Sequence, residues 1–211
     1  MQTLKLCITF ICCISLVSCL PSTQLSEQAI VEGIGIDMSE SKYVVSVEYF
    51  TPTSSKAESA STLFIKEKSR SISEAIHEIN AKIGKKLYFG QNNIVVIGIE
   101  AAKNNSLDIL DFFDSEPNTK SSICVVVSDN AEKVINNSNN DVYIPKTTLE
   151  KIISNSAKQG ACCEYRLFKI LDSAKSKNNS FALPKLQISE AGYFEVSGSC
   201  VFEYGKMKIK N

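Results

Sequence analysis

The sequence predicts a mixed α/β fold, α+β in character: a mixed β-sheet with helices packed on it, followed by the start of a second β-containing module. Three observations carry that expectation. A β-branched and aromatic hairpin opens the folded part. Short, wholly apolar runs then alternate with amphipathic helical stretches, and strand-like alternation returns near residue 192.

The chain of 211 residues begins Met1-Gln2-Thr3-Leu4-Lys5, and an apolar run from Leu6 to Val17 follows. As a helix that run would span about 18 Å, well short of the ~30 Å hydrocarbon core of a bilayer. A positive start, a short apolar core and small residues before a break are the layout of a secretory signal. Leu16-Val17-Ser18-Cys19 closes it with a bulky residue, a permissive one, a small one and cysteine. That order resembles the bacterial lipoprotein box, which implies that the Cys19 thiol is diacylglycerated and the chain cut before it. Residues 1–18 are then a lipoprotein signal peptide, Cys19 is the lipid attachment, and the polar stretch 19–28 is a membrane-proximal spacer. Each buried CH₂ of an acyl chain contributes about 0.8 kcal/mol, so two or three chains hold durably where one does not.

Ala29 to Asp37 reads as a strand whose Gly33 and Gly35 weaken it or let another backbone approach. Met38 to Ser41 make a polar turn, and Lys42 to Phe50 return as the second arm of a hairpin. A third strand is expected near Thr62 to Lys66, after a Ser/Ala-rich loop at 54–61. Ser71-Ile72-Ser73-Glu74 has capping-box spacing, and Ile72, Ala75, Ile76, Ile79 and Ile83 share one face, which predicts a helix ended by Gly84. Ile94-Val95-Val96-Ile97 has the pattern of a strand buried on both faces. Ser106 is placed to cap a second helix carrying Leu107, Leu110 and Phe113, with Pro117 just past its end. Ser122 to Ser128 is another buried strand, and 148–158 and 166–175 look helical. Asn-rich loops fall at 136–140 and 175–180. Residues 182–186 lead into an alternating segment at 192–202. The boundaries drawn are 29–180 for the N-terminal domain and 181–211 for the start of a truncated second module.

Composition excludes several classes of function. The formal charge is zero, with 44% hydrophobic and 22% charged residues, so nothing favours nucleic acid. Of eight cysteines, Cys7, Cys12 and Cys13 sit in the leader. Cys124, Cys162, Cys163 and Cys200 remain for the body, without a CxxC, and a Cys124–Cys200 or Cys162–Cys200 bridge stays open. One histidine in the whole chain makes a zinc centre improbable, and no metal or cofactor is expected. Gly33-Ile34-Gly35 lacks the third glycine of a dinucleotide fingerprint, since position 38 is Met38. Gly84-Lys85 lacks the upstream P-loop glycines. His77, beside Glu78 and near Glu74, reads as a solvated helix residue. Asp108, Asp111, Asp114 and Glu116 form a solvated acidic face without the glycine and closing glutamate of a calcium loop. With no nucleophile motif or acid/base pair, no catalytic residue is assigned and the chain reads as a non-enzyme.

Several of these segments resemble the Ger(x)C family of spore germination lipoproteins. They are residues 29–37 a short way after the lipobox cysteine, and Ser73-Glu74-Ala75 opening the first helix. The block Lys86-Leu87-Tyr88-Phe89-Gly90-Gln91-Asn92-Asn93-Ile94-Val95-Val96-Ile97-Gly98, with Ile109-Leu110-Asp111-Phe112-Phe113 after it, is the most specific. Leu183-Pro184 and the strands of 192–204 resemble the junction to the next part of that family's chain, whose remainder is lacking here. The resemblance implies a C-type subunit of a nutrient germinant receptor, lipid-anchored on the outer surface of the spore inner membrane. Its partners would be an A-type and a B-type membrane subunit. The alternative is a solute-binding or adaptor lipoprotein of an envelope transport system, which shares the anchor and the mixed α/β content.

Overall fold

A computed structural model describes residues 27–52, 62–136, 144–189 and 192–208. The leader, Cys19 and the 54–61 loop lie outside the described residues, as does most of the 136–140 loop. The strands are β1 (Gln28–Ser39), β2 (Lys42–Phe50), β3 (Thr62–Ser69), β4 (Lys86–Tyr88), β5 (Ile94–Gly98), β6 (Cys124–Ser128), β7 (Ser180–Ile188), β8 (Phe194–Glu203) and β9 (Lys206–Lys208). The helices are α1 (Ile72–Ile83), α2 (Ile99–Ser115), α3 (Ala131–Ile135), α4 (Lys146–Lys158) and α5 (Leu167–Ala174), with a 3₁₀ turn at Phe89–Gln91.

The strands form one mixed sheet in the order β3-β2-β1-β5-β6-β7-β8-β9, and β4 pairs beside the start of β1. β1, β5, β6 and β7 run parallel, while β2, β3, β8 and β9 pair antiparallel to their neighbours. Helices cover both faces. On one, α1, α2 and α5 meet Val95, Ile97, Val125 and Val127; on the other, α3 and α4 meet Ile94, Val96, Cys124 and Val126. This split explains why β5 and β6 are apolar at every position but their last. A strand between two helical layers has no wet face.

The early hairpin stands as expected, with a tighter turn. β1 runs on to Ser39, and Glu40 and Ser41 make the reversal at φ 52° and 59°. Ser71 Oγ accepts from Glu74 N at 3.1 Å, whereas the glutamate's carboxylate takes Arg70 N at 2.9 Å rather than the capping residue's own amide. Gly84 closes α1 at φ 65°, a backbone that a Cβ would strain.

Ser106 is a correction. The chain is already helical from Ile99, with a break at Asn105 (φ −138°), and the Ser106 hydroxyl is buried and donates to Gly205 O at 2.7 Å. It holds the β8–β9 turn onto α2 instead of opening a helix. β7, β8 and β9 pair onto the sheet beyond β6. Phe181 and Phe202 stack at 4.7 Å and share the first core cluster with α1 and α2.

Candidate functional site

The block most specific to the resemblance turns out to be packing. Leu87 and Phe89 are buried in the first core cluster, and Asn80 Oδ1 accepts from Leu87 N at 2.9 Å. A Cβ at Gly90 would overlap the Tyr88 ring, so glycine is what lets the 3₁₀ turn close beneath that ring. Asn92 is fully buried and its Oδ1 accepts from Ile94 N at 3.3 Å, setting the start of β5. These residues join α1 to the centre of the sheet.

The parallel strands end on a cleft of about 570 Å³ lined by Asp37, Lys66, Lys82, Glu100, Asp129 and Glu132, among others. A crevice outside the carboxyl ends of parallel strands is where open α/β sheets take ligands. Here Asp37 fills the floor. Its Oδ1 accepts from Ala131 N at 3.0 Å and its Oδ2 from Glu132 N at 2.8 Å, so β1 caps α3 across the sheet. Burial holds the Asp37 carboxyl above its ordinary value, against the two amide bonds, and the Glu132 charge adds to the rise. A Cβ at Gly98 would overlap Asp37 Oδ1, which is why β5 ends in glycine. Around the rim Lys66 pairs with Glu132 and Lys68 with Glu40, each at 2.7 Å, and Lys82 with Glu67. The cleft thus presents alternating, internally compensated charge and a carboxylate already occupied by amides.

A second constellation lies under α4. Lys146 Nζ donates to Glu48 Oε2 at 2.6 Å, with 0% and 5% of the two side chains exposed. Burial lowers the Lys146 pKa, opposed by Glu48 and then Glu32. The lysine stem reaches the glutamate by crossing β1 at Gly33, where a Cβ would stand 3.0 Å from Lys146 Cγ. Gly35 has its own reason, since a Cβ there would lie 3.1 Å from Ala131 O. The two glycines therefore serve close approach by a side chain and by a helix backbone. Sequence reasoning missed both Lys146 and Glu48. Paired glycines inside a strand signalled a close approach, but nothing local named the lysine 98 positions from Glu48.

The other sequence candidates stay apart. His77 is exposed on α1, and Asp108, Asp111 and Asp114 are exposed along α2. No three metal-ligating side chains converge among the described residues. Cys124 is a buried free thiol, and Cys162, Cys163 and Cys200 are free as well. Burial raises all four thiols, Cys163 to about 11. Cys124 serves as the small core residue that its apolar run implied.

The family described as Spore germination protein N-terminal domain matches residues 21–188. The chain belongs to that family. Spore germination protein KC of Bacillus subtilis (strain 168) is 27% identical over 156 residues, covering 69% of this chain and 37% of that protein. The chain therefore spans little more than a third of the length of that curated relative. No solved structure matches. Among the described residues, no helix is long and apolar enough to cross a membrane. For the Ger(x)C domain, the packing of residues 86–98 now has a physical account: the motif builds the sheet's central junction.

Proposed function

We propose that this protein is the C-type subunit of a nutrient germinant receptor, a non-catalytic lipoprotein held by acylated Cys19 on the outer surface of the spore inner membrane. It docks there on an A-type and a B-type membrane subunit during germination. The observation that carries the reading is the family match, which begins at residue 21, directly behind the lipobox cysteine, and runs through the sheet to residue 188. The printed name of the relative, a spore germination protein, points the same way. The geometry supports docking over chemistry: the cleft's lysines are paired with glutamates, Asp37 is engaged by two amides, and the buried Lys146–Glu48 pair is shut away from solvent.

The test is affinity purification of the tagged full chain from detergent-solubilised spore inner membranes. Co-purification of two multi-spanning membrane subunits encoded beside it is the expected result. Recovery with a transport ATPase from vegetative cells would replace this reading with that of a solute-binding or adaptor lipoprotein.

A further inference from the structure

We draw no further inference here: the strongest candidate, the strand-end cleft at the start of α2, where Gly98 provides no side-chain cap, carries nothing because its carboxylates and lysines are already engaged by backbone amides and ion pairs and nothing in the structure shows what would occupy it.

Discussion

Replacing Lys146 by methionine keeps most of the apolar stem that crosses Gly33 and removes the charged, hydrogen-bonding ammonium. Glu48 is then left buried, 5% exposed, with its lysine partner gone. Breaking a buried ion pair in this way costs about 3–5 kcal/mol, because the remaining charge keeps its desolvation penalty. A domain of this size is stable by about 5–15 kcal/mol, so the loss is a large share of the total. At about 2–4 °C per kcal/mol, the melting temperature should fall on the order of 10 °C. Replacing both partners, Lys146→Met with Glu48→Leu, removes both charges and should recover most of that loss. The contrast between single and double variants isolates the pair from the packing of the methylene stem. Thermal and urea unfolding followed by circular dichroism reads it. A single variant within about 1 kcal/mol of the parent, or a double variant no better than the single, would refute the reasoning.

Four further outcomes follow from the geometry. Gly35→Ala should cost more than Gly33→Ala within the roughly 1–3 kcal/mol range of overpacking, because its Cβ meets helix backbone while that at 33 meets movable side-chain carbons; comparative urea unfolding orders them. Asp37→Ala strips two amides of their acceptor and should cost about 1–2 kcal/mol, seen as faster amide exchange at Ala131 and Glu132. Bonds from Arg166 hold the Glu164 carboxyl down at about 2. Its contribution is therefore full above the unfolded pKa of about 4.3 and is lost as pH falls through 2. Exposure limits it to under about 1 kcal/mol, and Glu164→Gln should flatten the stability profile in that window. The Asp37 carboxyl, raised by burial, runs the other way: it adds stability as pH falls through its raised value toward 3.8, a slope that Asp37→Asn should abolish.

What could be read from the sequence was whatever repeats at short range. The alternation of Lys42 to Phe50, the capping spacing of Ser71 and Glu74 and the unbroken apolar run at 94–97 each define an element within one window, and each appears in the structure. α3 has five residues and β4 three, too few for any period to show. The start of α2 was hidden because Ser106 offers a cap residue, whereas the helix already runs from Ile99 and only breaks at Asn105. The missed site residues fail for a different reason. Asp37 meets α3 across 94 positions, and Lys146 meets Glu48 across 98. Such pairs exist only once the sheet has assembled; in the sequence they left a trace only as Gly33, Gly35 and Gly98, the positions a partner must pass. The acylation proposed at Cys19 is different again, being covalent chemistry that a motif of four consecutive residues would specify.

The account as a whole depends on one covalent bond, and mass spectrometry of the amino-terminal peptide from the spore inner-membrane fraction reads it directly. The expected product begins at Cys19 and carries a diacylglyceryl thioether, and a Cys19→Ala protein retains neither the lipid nor the membrane. A chain recovered from the soluble fraction with an unmodified Cys19 thiol would contradict it.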